Sequence, residues 1–464
     1  MKSKLYRIFI VLFILVFALP LVGVDATQAA SKYTAVNVVL NTDITPLILS
    51  TLGKYGKVLD KLVEIDSLTM KALTSKISTI EALPYVVAVS PDAVRNGSPV
   101  DTVLAEDFAD GVSTWDLDAI NVTDYGTTER QVVQDGTGVY VAVLDTGLVD
   151  TWRQYFPQER IAEEYGIAFG GGGGEVGTVS SQPNKWEHDV NSHGTHVTST
   201  ILGYQLGALK INGVAPMATV IPVKVLNQNG SGWSSVVARG IMYVAELKEG
   251  ELKDFPVVIN MSLGGSALDA VEKAAVDYAV EAGVIIVASA GNEGEAGMGY
   301  PGAYAPVISV AASGWVGEWT AAGSWWRNLD VPDPDPANPL DYYITDFSSR
   351  ELDGQDLDVA APGSWTVGPY QTNSGQISYY YLGGTSMASP HVAGIAALLM
   401  QARPGLLYDD VEAILEGSAI FLDAGCRDIF DPNVGDTTIC WDTDATGAGL
   451  ATADAALTYL LSYP

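Results

Sequence analysis

Five short, nearly continuous apolar runs in the middle of the chain constrain its fold more than any other feature. The runs are VYVAVL, VIPVKVL, VVINMSL, VIIVASA and VISVAAS, between residues 139 and 313. Runs without polar alternation are typical of strands buried on both faces, and helix-like segments separate these five. The pattern predicts an α/β domain with a mostly parallel central sheet flanked by helices.

Polar residues stand at the ends of these predicted elements. Asp145 directly follows the first run, and Asn292 lies just beyond the fourth. Two predicted helices begin at or near His193 and Ser386. Functional groups of open α/β sheets gather beyond the carboxyl ends of the strands. A carboxylate, an imidazole and a hydroxyl in such places are the parts of a nucleophilic triad.

The chemistry of acyl transfer explains why these three residue types would occur together. A serine hydroxyl becomes nucleophilic when a neutral imidazole removes its proton, and a carboxylate fixes the tautomer of that imidazole. Gly383 and Gly384 would let a substrate backbone approach Ser386 closely. Taken singly, Asp145 is ordinary turn chemistry and Ser386 an ordinary helix cap, so the prediction depends on their combination.

Six sequence blocks in the order VAVLDTG, HGTHV, GVAP, INMSLGG, ASAGNEG and GGTSMASPHVAG resemble the signature of the subtilisin-like serine proteases. The blocks extend from Val141 to Gly394. The resemblance implies an endopeptidase that works through an acyl-enzyme, with Asp145 orienting the base, His193 as general base and acid, and Ser386 as nucleophile. It also implies that Asn292 and the Ser386 backbone N–H form the oxyanion hole.

The resemblance further implies two segments that hold an extended polypeptide substrate by strand-like hydrogen bonds. These substrate-binding residues are Gly230, Ser231, Gly232, Ser262, Leu263, Gly264 and Gly265. Chemistry of this type needs no cofactor.

The first hundred residues differ in character from the rest. Lys2, Lys4 and Arg7 precede an apolar run and the stretch ATQAAS, which is typical of a secretory signal peptide over residues 1–30. An uncleaved membrane anchor is the alternative. We expect signal cleavage near Ala29 or Ala30, a secreted product and no further membrane span.

Residues 31–100 alternate strand-like runs such as YTAVNVVL and YVVAVSPDA with helix-like stretches, one of them near residues 68–83. We predict a small α+β domain there, a polar linker with a processing site over residues 101–115, and the peptidase domain over residues 116–464. The family resemblance implies that the small domain is a propeptide that acts as chaperone and inhibitor. Self-cleavage is expected between about Ser98 and Val112.

Charge and cysteine content narrow the remaining possibilities. The formal net charge is −31, and residues 116–464 carry 14 basic and 44 acidic residues. Such a surface argues against nucleic-acid binding and favours solubility at high salt or at low pH. The two cysteines, Cys426 and Cys440, are expected to form one disulfide in an exported protein.

The sequence gives no sign of a catalytic role for the other histidines and little support for a calcium site. We expect His188 to be solvated, and His196 and His391 to be buried structural residues. The resemblance implies a tight calcium site, but the corresponding segments TWRQYF and YQLGALKING offer few side-chain oxygens, namely those of Gln154, Gln205 and Asn212. That departure makes the usual site doubtful, so metal ligands are left unassigned.

Two other classes of function fit the sequence less well. A catalytically idle binding protein on the same scaffold would not need all four active-site residues. An esterase of the α/β-hydrolase type requires Gly-x-Ser-x-Gly and the order Ser, Asp, His, whereas this chain has GTSMA and the order Asp, His, Ser.

Overall fold

The computed structural model describes residues 31–105, 114–123, 130–169, 185–320, 323–324, 339–372 and 377–464. The predicted signal peptide, residues 1–30, lies outside the described residues. The described chain begins with a small unit whose four strands form an antiparallel sheet in the order β2-β3-β1-β4. Its elements are β1 (Tyr33–Leu40), α1 (Pro46–Leu52), β2 (Gly56–Leu62), β3 (Ser67–Leu73), α2 (Ile77–Glu81) and β4 (Val86–Pro91).

The helix expected near residues 68–83 is wrong over its first half, where the chain forms β3. Leu68, Met70 and Ala72 alternate along this strand and are fully buried, while Lys71 between them is exposed. The period of two in these apolar residues suits a strand, and the polar residues Ser67 and Thr69 on its other face are buried as well. The helical part of this stretch is a 3-10 turn over Thr74–Lys76 followed by α2, which is five residues long.

The polar stretch at the end of the small domain and the start of the expected linker forms two paired strands. The strand β5 (Val94–Asn96) pairs with β12 (Ser231–Trp233), and β6 (Asp101–Leu104) pairs with β21 (Ser378–Gly383). Arg95 within this stretch is completely buried. The local sequence gives no sign of this pairing, because the hydrogen-bond partners of these strands come from distant parts of the chain.

The five apolar runs form the centre of an eight-stranded sheet, as predicted. Its order is β18-β15-β14-β13-β7-β11-β8, with β19 also pairing with β15, and only β18 is antiparallel to its neighbour. The strands are β7 (Tyr140–Asp145), β8 (Ile167–Ala168), β11 (Thr219–Lys224), β13 (Val257–Met261), β14 (Val284–Ser289), β15 (Ile308–Trp315), β18 (Tyr342–Ile344) and β19 (Val359–Pro362).

Helices cover this sheet, and two of them begin at the predicted functional residues. They are α3 (Trp115–Ala119), α4 (His193–Leu202), α5 (Ser234–Glu249), α6 (Ala270–Glu281), α7 (Thr385–Ala402), α8 (Tyr408–Ser418) and α9 (Ala453–Ser462). All of α7 from Thr385 to Met400 is buried, because it packs on the sheet on one side and on α4 and α9 on the other. It is the central helix of the described structure.

Short hairpins complete the described chain. They are built from β9 (Gly203–Leu206) and β10 (Leu209–Asn212), from β16 (Trp319–Thr320) and β17 (Gly323–Ser324), and from β22 (Gly425–Asp431) and β23 (Gly435–Trp441), while β20 (Thr366–Tyr370) joins β21. Cys426 and Cys440 face each other across the last hairpin and form the expected disulfide. None of the described helices is long and apolar enough to cross a membrane.

Candidate active site

The predicted triad residues converge at one edge of the sheet. Asp145 is the last residue of β7, His193 is the first residue of α4, and Ser386 is the second residue of α7. The carboxyl ends of parallel strands share one edge, and the two helices begin there and pack against each other. The elements that the sequence predicted therefore bring the three side chains together.

Asp145 holds the His193 ring in one orientation. Both carboxylate oxygens lie 2.9 Å from His193 Nδ1, and the side chains of both residues are fully buried. The Thr146 backbone N–H also donates to Asp145 Oδ1, at 2.6 Å. This arrangement places the proton on Nδ1 and leaves Nε2 as the acceptor that a general base needs.

Ser386 is bonded to a backbone carbonyl rather than to the base. Its Oγ donates to Ser262 O at 3.1 Å. Within the described part of the chain, His193 Nε2 is buried and has no hydrogen-bond partner. A buried acceptor without a partner is costly, so His193 Nε2 is poised to accept a proton or a hydrogen bond from a group that enters the site.

A proline five residues into α7 shapes the backbone of Ser386. In a regular helix the N–H of residue 390 would donate to the carbonyl of residue 386, but Pro390 has no N–H. Ser262 Oγ donates to Ser386 O at 2.8 Å instead. Asn260 supports this hydroxyl, because its Nδ2 donates to Ser262 Oγ at 3.1 Å while its Oδ1 accepts from Ser389 Oγ at 2.7 Å.

Asn292 lies next to the serine with its amide orientation fixed. The Thr385 backbone N–H and hydroxyl both donate to Asn292 Oδ1, at 2.9 and 2.8 Å. The Nδ2 end therefore points the other way, and it would lie 3.8 Å from a Cβ built on Gly384. A donor held in this way can stabilise an oxyanion without reorganising.

The cleft between the two predicted substrate-binding segments contains part of the chain itself. The Asn96 N–H donates to Gly264 O and the Gly264 N–H donates to Asn96 O, both at 2.9 Å. The Gly97 N–H donates to Gly230 O at 2.8 Å. Residues 94–98 thus lie as a strand between the two segments, in the position that the sequence predicted for a substrate.

Each predicted substrate-binding residue contacts or underlies this strand. Ser231 and Gly232 pair with Asn96 and Arg95 in the register of β12 and β5. Gly265 lies so close that a Cβ there would be 2.3 Å from Val94 O. Leu263 is buried, and Ser262 O, which accepts from Ser386, would lie 2.7 Å from a Cβ built on Gly97.

The peptide bond between Ser98 and Pro99 lies at the catalytic groups. A Cβ built on Gly97 would be 3.3 Å from His193 Cε1, and one built on Gly384 would be 3.7 Å from the Cα of Pro99. A cavity of roughly 550 Å³ opens beside Ser98, and Asn292, Glu293 and Ser386 are among its lining residues. Glu293 there accepts bonds from the Asn292 N–H and from Ser349 Oγ.

A buried support network behind the triad was not predicted. Thr146 Oγ1 donates to Asp189 Oδ2 and accepts from the Gly194 N–H, both at 2.8 Å. Burial raises the pKa of Asp189 to about 6, and burial lowers the pKa of neighbouring Lys224. The network ties the end of β7 to the start of α4. Its only sequence signal is an aspartate four residues before His193.

The remaining histidines behave as expected. His188 is exposed. His196 is fully buried, with Nε2 3.2 Å from Thr366 O, and burial lowers its pKa to about 3. His391 is also buried, with Nδ1 2.8 Å from Met387 O and Nε2 2.9 Å from Asp116 Oδ2.

The residues considered for calcium do not form a suitable cage. Gln205 Nε2 donates to Gly207 O and Leu209 O, so that an amide nitrogen uses the carbonyls that a cation would need. The cavity lined by Gln154 and Gln205 also contains Lys210. Elsewhere, Asp356, Asp358 and Glu412 lie within 4.8 Å of one another. Asp358 there accepts from Ser309, and burial raises its pKa well above normal.

Known proteins share this fold and sequence pattern. The family model described as the subtilase family matches residues 136–452. Thermitase of Thermoactinomyces vulgaris is 33% identical over 300 residues, which cover 64% of this chain and 88% of thermitase. The thermostable alkaline protease of Halalkalibacterium halodurans is 34% identical over 289 residues, covering 62% of this chain and 63% of that protease.

A solved structure agrees. Fervidolysin from Fervidobacterium pennivorans, a keratinolytic enzyme related to subtilisin, matches with a TM-score of 0.63 at 25% identity, over 92% of this chain and 61% of that one. The chain thus spans less than two thirds of the alkaline protease and of fervidolysin. The family match covers the whole central sheet and all four predicted active-site residues, and the chain belongs to the subtilase family.

Proposed function

We propose that this chain is a secreted serine endopeptidase, made as a precursor whose own N-terminal segment occupies the active site. One observation carries the proposal: residues 94–98 lie in the cleft with substrate-like backbone hydrogen bonds, and their C-terminal end lies next to His193 and shares a cavity with Ser386. A cleft that accepts an extended strand next to a buried aspartate–histidine pair and a serine suits peptide-bond hydrolysis.

The mechanism follows from the positions of these groups. An extended substrate adds a strand between residues 230–232 and 262–265, which places one carbonyl carbon beside Ser386 Oγ. His193 Nε2 takes the hydroxyl proton as Oγ attacks, and Asp145 stabilises the imidazolium that results. Asn292 Nδ2 and the Ser386 N–H hold the oxyanion.

The second half of the reaction uses the same groups. His193 gives the proton to the departing amine, so that the peptide bond breaks and an acyl-enzyme remains on Ser386. A water molecule then loses a proton to Nε2 and attacks the ester. Collapse of the second oxyanion releases the acid and returns the proton to Oγ.

The N-terminal unit fits the role of inhibitor because its contacts with the catalytic domain are buried and polar. Asp92 accepts from the Ser235 N–H at 2.9 Å and from Ser235 Oγ at 2.8 Å, at the start of α5. Asn37 Nδ2 donates to Asp269 Oδ2 at 2.8 Å, at the start of α6. The unit is thereby anchored on two helix termini beside the cleft.

Self-processing near Ser98–Pro99 is part of the proposal. The bond lies at the catalytic groups, but a proline on its amine side lacks the N–H that a normal leaving group has. We therefore expect slow maturation. Cleavage farther along, up to residue 112, is the alternative.

The test compares wild type with Ser386→Ala and with the matched control Ser462→Ala, whose serine is exposed at the end of α9. The first change should stop maturation, seen by intact mass, and lower kcat by roughly six orders of magnitude, the value found for subtilisin in this same family. The control should process and hydrolyse casein normally.

Two results would refute the proposal. One is a Ser386→Ala protein that still matures and degrades casein. The other is wild type, freed of residues 31–98, that neither cleaves peptides nor reacts with a serine-directed phosphonate; this result would instead favour a non-catalytic binding protein.

A further inference from the structure

The buried arginine of the cleft-bound strand identifies a specificity pocket. Ser98 and Ser386 line the same cavity, and in the proposed register Ser98 supplies the carbonyl of the cleaved bond, so Asn96 is the second residue before it and Arg95 the third. In a bound substrate, the side chain of the fourth residue from the cleaved bond, counting the carbonyl residue as the first, would occupy the place of Arg95. We call this pocket the fourth subsite.

The fourth subsite is built for a guanidinium group. Arg95 Nε donates to Glu272 Oε1 at 2.9 Å and Nη2 donates to Glu272 Oε2 at 2.5 Å, a two-point contact. Nη2 also donates to Ala267 O at 2.9 Å, and both charged side chains are completely buried. Gly265 lines the site, since a Cβ there would lie 2.8 Å from Arg95 Nη1.

The pocket belongs to the catalytic domain, whereas its cation comes from the segment to be removed. Glu272 lies in the first turn of α6, three residues after the capping Asp269. Among the described residues, the ion pair of Glu272 is with Arg95, while the adjacent Lys273 pairs with Asp277. Removing residues 31–98 therefore leaves the Glu272 carboxylate in the fourth subsite without this partner. A substrate side chain that covers Glu272 without pairing with it would remove water from a charged carboxylate and give nothing in return, which disfavours binding.

On the basis of the proposed peptidase function, we propose that Glu272 makes this enzyme select arginine at the fourth residue before the cleaved bond. A guanidinium restores both hydrogen bonds and the charge balance that Arg95 supplied. A lysine provides the charge but not the planar two-point contact, so peptides with lysine should have the second-highest kcat/KM. Leucine, which would fill an apolar pocket well, should be disfavoured because it leaves Glu272 unpaired.

An alternative is that Arg95 only anchors the propeptide. The backbone argues against a purely anchoring role, because Asn96 and Gly97 on its C-terminal side use the same carbonyls and N–H groups that a substrate would use. In a substrate bound in that register, the side chain of the fourth residue takes the position of the Arg95 side chain.

The experiment uses mature enzyme and peptides that differ only at the fourth position, with arginine, lysine, leucine or alanine. Wild type should show kcat/KM for arginine roughly 10- to 100-fold above that for leucine or alanine. Glu272→Gln should bring this ratio close to one. Glu281→Gln, the same change at an exposed position of the same helix, should leave the ratio as in wild type.

A second measurement avoids dependence on a variant that fails to mature. Wild type alone digests a diverse peptide library, and the products are sequenced; arginine should be enriched four residues before the cut. Peptides cleaved equally whatever their fourth residue would overturn the inference and leave the peptidase intact. If wild type, like Ser386→Ala, cleaves no peptide at all, then the proposed function itself is wrong.

Discussion

The replacement of Ser262 by alanine tests whether Pro390 shapes the nucleophile. Ser262 Oγ is the donor 2.8 Å from Ser386 O, the carbonyl that Pro390 deprives of its helical N–H. Both Ser262 and Ser386 are buried, so water cannot replace the lost donor. An unsatisfied buried carbonyl costs about 1–3 kcal/mol. We expect Ser262→Ala to lower the free energy of unfolding by about 2 kcal/mol.

The same change should also slow catalysis. The Ser386 backbone carries both the nucleophile and an oxyanion donor, and small displacements at such a point cost roughly 100-fold in rate. The second variant is Pro390→Ala, which restores an N–H one turn after Ser386. In the double variant this N–H should replace the missing hydroxyl, so the penalty of Ser262→Ala should fall below about 1 kcal/mol.

The assay is a double-mutant cycle. Stability is measured by urea denaturation in a Ser386→Ala background, which prevents self-digestion, and kcat is measured on a peptide with the serine restored. Ser389→Ala is the control, because its hydroxyl bonds Asn260 and not Ser386. The reasoning is refuted if Ser262→Ala lowers the free energy of unfolding by the same amount with and without Pro390. It is also refuted if Pro390→Ala reduces the penalty of Ser389→Ala as much as it reduces that of Ser262→Ala.

Three further predictions concern the buried polar groups. Asp92→Ala should weaken inhibition of the mature enzyme by the excised segment 31–98 roughly tenfold or more, since its bonds to α5 are lost; an unchanged inhibition constant would contradict the anchoring role. Burial lowers the pKa of His196 to about 3, so the unfolded chain binds the proton first and stability falls as pH drops from 6.5 to 3. His196→Gln should remove this part of the loss of stability at low pH, as measured by denaturation curves. An unchanged fall in stability between pH 6.5 and pH 3 would count against the prediction. Burial raises the pKa of Glu318 to about 8, so its stability contribution is complete below pH 4.5 and is lost by pH 8; Glu318→Gln should add up to about 5 kcal/mol at pH 9 and nothing near pH 4.

The catalytic sheet could be predicted because its signal is local. Strands buried on both faces have continuous apolar sequences, so β7, β11, β13, β14 and β15 were evident one by one. The positions of Asp145, His193 and Ser386 could be predicted because these residues stand at or next to element ends, where the local sequence also shows the boundary. Parallel strands then bring these ends to one edge without further information.

The N-terminal part was less predictable because its partners lie far away in the sequence. The strand β3 has helix-forming residues and becomes a strand by pairing with β1 and β2. In RNGSPVDTVL, polarity indicated a solvated linker, yet Arg95 is buried. Its burial depends on Glu272, which lies 177 residues later and carries no local sign of facing a pocket.

Occupation of the cleft by the chain's own strand limits how the enzyme can become active. While the segment is covalently attached, it competes with substrates at an effective concentration of the order of millimolar, so few substrates can displace it. Cleavage at Ser98 alone would not free the site, because the contacts of Asn37, Asp92 and Arg95 with the catalytic domain remain. After cleavage, however, binding of the segment depends on its concentration, and degradation of any dissociated copy becomes irreversible. Under the proposed function, the two-point contact with Glu272 would therefore have opposite effects: it would make the cleaved segment slower to leave, and it would make arginine-containing substrates better competitors for the vacated pocket.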